Sequence, residues 1–146
     1  MTAIHYRNLR RNPQRIRMNN FPLRFQPNKH QEKFWKDAHS KFLHLSTGFG
    51  GGKTHALCFK ALWLSWANKG HAGGLVAPDF KEFRRDVLPE MELILEDNKI
   101  DYRYHKSEHW FQFPWSDGKL YVVSGEKKIR GPNWAYAVIN ELTLMP

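Results

Sequence analysis

Hydrophobic and polar positions along this chain switch repeatedly between a period of two and a period near 3.6. Lys41-Phe42-Leu43-His44-Leu45-Ser46 is a short apolar run and predicts a buried strand. Residues 54–68 follow helical spacing, with Leu57, Phe59, Leu62, Trp63, Leu64 and Trp66 covering most of the circumference, so this helix is expected to be buried on more than one side. Gly70 and Gly73-Gly74 close it. Gly74 to Pro78 reads as a second core strand. Phe80 to Asp97 reads as helix with Phe83, Val87, Met91, Ile94 and Leu95 facing inward, and Pro89 predicts a kink or a division into two helices. Tyr102–Tyr104, Trp110–Phe113 and Leu120–Ser124 read as strands, with Asp117-Gly118 as a hairpin turn between the last two. Ala135 to Ile139 is a final buried strand. Upstream, residues 29–40 form a short amphipathic helix carrying Gln31, Phe34, Trp35 and Ala38, and residues 1–28 read as an extended basic arm interrupted by Pro13, Pro22 and Pro27. Strands alternating with helices imply an α/β domain with a mostly parallel sheet over 29–146.

The segment between the first predicted core strand and its helix carries chemistry. Thr47-Gly48-Phe49-Gly50-Gly51-Gly52-Lys53-Thr54 has the composition of a phosphate-binding loop. Glycines let the backbone curl so that successive N–H groups point at one anion, and the following helix adds its free N-terminal amides. Lys53 reaches the β- and γ-phosphates as a point charge, and the Thr54 hydroxyl holds Mg²⁺. Thr47 stands where the pattern G-x-x-x-x-G-K-[ST] has its first glycine, and Gly48 and Gly50 take over the turn. A flexible glycine linker would have the same composition, but it would not lie between an apolar strand and an apolar helix.

Charge and cysteine usage narrow the setting. The 146 residues carry a formal net charge of +9, which favours a polyanionic partner. Seven cations, Arg7, Arg10, Arg11, Arg15, Arg17, Arg24 and Lys29, precede the first acid, Glu32. Cys58 is the single cysteine and lies in the apolar helix, so no internal disulfide is expected and a reducing compartment fits. No apolar stretch is long enough for a bilayer, and the basic N-terminus lacks the apolar core of a signal peptide. The expectation is a soluble, intracellular protein with no membrane association.

A second element matches the loop. Hydrolysis at a P-loop needs acids at the end of a neighbouring strand, one near the metal and one to polarise water. Ala137-Val138-Ile139-Asn140-Glu141 has that form. Glu141 is the candidate general base. Asn140 stands where the metal-side aspartate is expected; its amide oxygen accepts a hydrogen bond from a metal-bound water but brings no negative charge. Weakened Mg²⁺ binding follows.

In order along the chain, these elements resemble the N-terminal ATPase region of a tailed-phage terminase large subunit, the DNA-packaging motor. The residues that carry the resemblance are Phe25-Gln26-Pro27-Asn28-Lys29-His30-Gln31, the loop from Ser46 to Thr54, Val76-Ala77-Pro78 leading into the helix with Arg84 and Arg85, and Ile129-Arg130-Gly131-Pro132-Asn133-Trp134 before the last strand. The resemblance covers about residues 22–146. It implies a P-loop NTPase fold of the RecA/ASCE-like kind: a mostly parallel sheet flanked by helices, here incomplete at its C-terminal end. It implies ATP and Mg²⁺ as cofactors, with nucleotide held by Gln31, Thr47, Gly48, Phe49, Gly50, Gly51, Gly52, Lys53 and Thr54, and metal by Thr54 and Asn140. Gln31 would bond the adenine edge. Lys53, Glu141 and Arg130 would be the catalytic set, with Arg130 offered across a subunit boundary as an arginine finger and Arg84 or Arg85 as its substitute. The implied partners are double-stranded DNA, a terminase small subunit, a portal protein and further copies in a homo-oligomeric ring, acting in the host cytoplasm at the procapsid.

Family members continue beyond the last strand into a coupling motif and a metal-dependent nuclease domain that this sequence does not contain, so DNA cleavage is not expected. A fragment, a split gene product and a prophage remnant all fit that departure. Two other functions remain open at this point: a helicase-like P-loop ATPase, which would carry an Asp-Glu-Ala-Asp type box in place of Asn140-Glu141-Leu142, and a non-catalytic nucleotide- or DNA-binding remnant. His105 and His109 have helical metal-pair spacing but lie in a turn and strand region, and read as ordinary polar residues. Trp110, Phe111, Phe113 and Trp115 read as hairpin packing rather than a base-stacking platform.

Overall fold

The computed structural model describes residues 2–6, 21–37, 40, 42–45, 52–126 and 133–140. Seven strands make one sheet: β1 (Thr2–Tyr6), β2 (Phe42–Leu45), β3 (Gly73–Ala77), β4 (Arg103–His105), β5 (Trp110–Gln112), β6 (Leu120–Ser124) and β7 (Tyr136–Ile139). Their spatial order is β2-β1-β7-β3-β6-β5-β4. β3 pairs in parallel with β7, Leu75 opposite Val138, and with β6, Leu75 opposite Val122. β1 is antiparallel to both β2 and β7. Two antiparallel steps restore direction, so β2, β7, β3 and β6 all run one way. The fold is α/β with a mostly parallel central sheet, as the alternation of elements predicts. β5 and β4 extend it as an antiparallel hairpin edge.

Four helices accompany the sheet: α1 (Glu32–Lys36), α2 (Lys53–Ala67), α3 (Phe80–Glu82) and α4 (Leu88–Asp97). Every residue of α2 from Ala56 to Ser65 is buried, which explains its near-continuous apolar sequence. α4 turns Met91, Ile94 and Leu95 into the same core. Between α3 and α4 the chain widens into a π-helical turn, Phe83–Val87. Pro89, in the first turn of α4, has no N–H to give, and its ring crowds the carbonyl four residues back. The wide turn just ahead relieves that conflict, and it is the interruption that the proline predicts.

β3 needs glycine at its first position because of its neighbour. A Cβ on Gly73 would lie 2.0 Å from the ring of Tyr136, which crosses the strand from β7. Tyr136 is 1% exposed, and burial pushes its phenol well above the ordinary tyrosine range.

The aromatic hairpin packs inward. Phe111 is fully buried and stacks on Tyr104 at 4.5 Å, Phe113 stacks on Trp115 at 5.0 Å, and the Trp115 indole donates to Ser65 Oγ at 2.8 Å. His105 stacks on Trp110 and His109 on Phe80, at 5.1 and 4.0 Å. The Asp117-Gly118 turn does join β5 to β6, within a longer connection over 113–119.

Two features depart from the pattern reading. No strand is predicted ahead of residue 41, yet Thr2–Tyr6 occupies the slot between β2 and β7. Residues 21–23 read as part of an arm, yet Phe21 and Leu23 are buried, and the Phe21 ring lies 5.8–6.4 Å from Trp35, Trp66 and Trp115. Both segments are too short for periodicity to register, and both are organised by partners far along the chain. No helix among the described residues is long and apolar enough to cross a membrane.

Candidate functional site

Parallel strands deliver their C-terminal ends to one edge of a sheet, and ligands of α/β folds gather there. Here that edge receives the end of β2 at Leu45, the start of α2 at Lys53, the end of β3 at Ala77 and the end of β7 at Ile139. Thr47, Gly48, Phe49, Gly50 and Gly51, between β2 and α2, lie outside the described residues, as do Arg130 and Glu141.

Gly52 is the N-cap of α2 and has left-handed backbone angles, φ 71° and ψ 29°. A Cβ here would also meet Gln31 Nε2 at 2.4 Å. Glycine is therefore required twice over, by conformation and by contact. The first turn of α2 contains no acidic residue and no side-chain cap. Its leading amides and the positive end of the helix dipole are left for an anion. Lys53 and Thr54 stand in that turn, both partly exposed.

Gln31 reaches this point from a different element. Asn28 Oδ1 accepts from the backbone N–H groups of His30 and Gln31, each at 3.0 Å, and this Asx turn starts α1. The Gln31 side chain accepts from Asn28 N at 3.0 Å and donates through Nε2 to the Gly52 carbonyl at 2.8 Å. That carbonyl also accepts from Ala56 N at 3.0 Å, the first helical bond of α2. Gln31 is 4% exposed. The glutamine upstream and the end of the glycine loop, 21 residues apart, are thus one hydrogen-bonded unit.

Asn140 sits directly beyond β7. Its N–H donates to Val76 O at 2.8 Å, extending the ladder by one residue, and it is buried. β1 alone separates β7 from β2. At the ordinary strand spacing the ends of β2 and β7 are about 9.5 Å apart. The strand leading to Glu141 is therefore near the loop strand and not on the far edge of the sheet.

A cleft of about 380 Å³ opens beside the first turns of α2, lined in part by Arg24, Phe25, His55, Phe59 and Leu93. Phe25 stacks on Phe59 at 4.6 Å, and His55 Nδ1 bonds Glu90 Oε1 on α4. Of the two arginines considered as substitutes for a finger, Arg85 is engaged by its own neighbours: Nε and Nη2 bond Asp86 at 2.8 and 2.7 Å. Asp86 holds the Arg85 guanidinium further toward its charged form, and Arg85 holds the Asp86 carboxyl below the usual range.

Sequence reading missed Lys60. It lies in the middle of α2 and is fully buried. Its Nζ donates to three backbone carbonyls at the C-terminal end of α1: Phe34 at 3.3 Å, Trp35 at 3.1 Å and Asp37 at 2.7 Å. The ammonium also lies 4.6 Å from the Trp63 ring centroid. Burial pulls the Lys60 pKa down to about 7, while Asp37 pulls the other way. A lysine inside an otherwise apolar helical run was the available signal.

Strand order, crossover helix and the edge that gathers Gly52, Lys53, Thr54 and Asn140 define an α/β fold of the P-loop NTPase class. Solved structures with this fold are those of the large terminase from a thermophilic bacteriophage. One crystal form has a TM-score of 0.64 at 18% identity, covering 84% of this chain and 34% of that one. Another gives 0.64 at 19%, covering 83% and 32%. A structure of the same terminase in complex with ATP-γ-S gives 0.58 at 20%, covering 68% and 25%. At this identity the likeness is one of fold, and the chain spans about a third or less of the terminase chains it matches. No family model and no curated protein matches the chain.

Proposed function

We propose that this chain is an ATP-binding and ATP-hydrolysing part of a viral DNA-packaging motor. The observation that carries the reading is the placement of Gly52, Lys53 and Thr54 at the open N-terminus of a buried helix, on the sheet edge where β7 delivers Asn140 one strand away. The likeness in fold to a large terminase, one form of which was solved with ATP-γ-S, supports it.

In this reading Lys53 and the amides of residues 48–54 bind the triphosphate, and Gln31 contacts the adenine edge. The oxygen donors fit a hard cation: the Thr54 hydroxyl in the first turn of α2 and the Asn140 amide oxygen at the end of β7 would hold Mg²⁺. The metal, when bound, neutralises charge on the phosphate oxygens. Glu141 takes the proton of the attacking water. Arg130 reaches the nucleotide of a neighbouring subunit in a ring and stabilises charge on the transferred group. The cations ahead of Glu32 contact DNA through its phosphates, independent of sequence and weakened by salt. A small subunit and a portal protein are the further partners, and the host cytoplasm is the place of action.

The test is nucleotide binding and hydrolysis by the purified chain, with and without double-stranded DNA. Lys53→Ala is expected to lose ATP binding, and Glu141→Gln to bind ATP without turnover. An unmodified chain that binds no nucleotide would refute the proposal. Asn140, in place of a carboxylate, favours one second reading, a nucleotide-binding remnant without turnover. Nucleotide bound with no hydrolysis at any magnesium concentration would select it. Unwinding of a DNA duplex without packaging would select the helicase-like alternative.

A further inference from the structure

We propose that Lys60 is a positioning residue for base recognition: it clamps α1 against α2 and so holds Gln31 at the end of the phosphate loop. The role rests on the proposed reading of Gln31 as a base contact.

α1 is only five residues long, too short to be stable alone. Its C-terminal end leaves carbonyls without helical partners. Lys60 supplies the missing donors from another helix, satisfying Phe34, Trp35 and Asp37 with one ammonium at the negative end of α1. At the opposite end Gln31 Nε2 holds the Gly52 carbonyl. α1 is therefore tied to α2 twice. The two anchor points on α2, residues 52 and 60, are about 12 Å apart along the axis at 1.5 Å per residue. The span from Gln31 to Asp37 is about 9 Å at the same rise, a match that side-chain reach completes.

This arrangement determines what Gln31 has left to offer. Its bonds to Asn28 and Gly52 use one amide hydrogen and one carbonyl lone pair. Among the described residues, one donor and one acceptor remain, the pair that an adenine edge requires. Their direction depends on the pose of α1, and the far end of α1 is set by Lys60. Phosphate binding does not depend on that pose, because Gly52 to Thr54 belong to α2.

The experiment compares the affinities of ATP and inorganic tripolyphosphate by titration calorimetry in the full 146-residue chain, using Lys60→Met, Gln31→Leu and the double variant. Lys60→Met is expected to weaken ATP by roughly tenfold while tripolyphosphate stays within about twofold. The double variant should bind ATP no more weakly than Gln31→Leu alone, because both changes remove one interaction. Unchanged ATP affinity, an equal loss for both ligands, or additive losses would each overturn the role. Should Lys60→Met fail to fold, Lys60→Gln takes its place: it is neutral, still a donor, and able to reach fewer carbonyls, and it carries the same expectation. An unmodified chain that binds neither ligand refutes the nucleotide reading itself. One that binds both, with Lys60 variants unaffected, refutes only the clamp.

Discussion

Gln31 Nε2 donates to the carbonyl of Gly52 at 2.8 Å, joining the turn ahead of α1 to the last glycine of the phosphate-loop segment. The contact is close because Gly52 has no side chain, and it is directed because Gly52 is left-handed. A substitution at either residue should therefore be felt at the other.

Gly52→Ala faces two penalties, a left-handed backbone and a Cβ 2.4 Å from Gln31 Nε2. The first costs about 1–2 kcal/mol for a residue with a Cβ. The second depends on Gln31. In a Gln31→Ala background the contact is gone, so the destabilisation by Gly52→Ala should shrink to the conformational part. Urea unfolding of the four chains measures this; equal losses in both backgrounds would contradict the contact.

Lys60 makes stability depend on pH. Its folded pKa, about 7, lies below its unfolded value near 10.5. Between those values the unfolded chain binds more protons, so stability rises with pH through that window. The penalty is fully present below pH 7 and relieved toward 10.5. Burial raises the Cys58 thiol and the Tyr136 phenol, so their ionisation in the unfolded chain opposes the trend at higher pH. Between pH 7 and 8.5 the gain should be on the order of 1–2 kcal/mol. Subtracting the profile of Lys60→Met from that of the unmodified chain isolates it; parallel profiles would show that Lys60 does not titrate in this range.

Asn140→Asp tests the departure at the end of β7. The site is buried, so an unpaired carboxylate there should cost about 1–3 kcal/mol without metal. Mg²⁺ with ATP should recover that loss and bind at lower concentration than in the unmodified chain. Thermal melts across a magnesium titration give both quantities, and melts insensitive to magnesium would remove Asn140 from the metal site.

Arg130→Ala should leave ATP binding intact and abolish cooperative hydrolysis in assembled rings, by about 10³-fold or more if it acts as a finger. Normal turnover by such rings would dismiss the role.

Much of the architecture was legible in the order of residues. Leu57, Leu62, Trp63 and Leu64 announce a helix without a polar face, and the structure buries it from Ala56 to Ser65. Pro89 announces a break, and the π-helical turn lies just before it. Gly52-Lys53-Thr54 announces an open helix start, and Gly52 is the left-handed N-cap. These are local properties, decided by a few neighbouring side chains.

Lys60 was not legible, because a charge within an apolar run looks like an error of pattern until its acceptors, 23 to 26 residues away, are in place. Nor was β1, whose five residues gain meaning only by pairing with Leu43 and Val138. By itself the chain determined its periods, its breaks and the chemistry of its loop, since each depends on spacing along the backbone. Only tertiary structure decided that Thr2–Tyr6 lies between β2 and β7, that Gln31 meets Gly52, and that a buried ammonium closes α1. Those outcomes depend on hydrogen-bonding groups that must find partners once water is excluded, wherever along the chain the partners are.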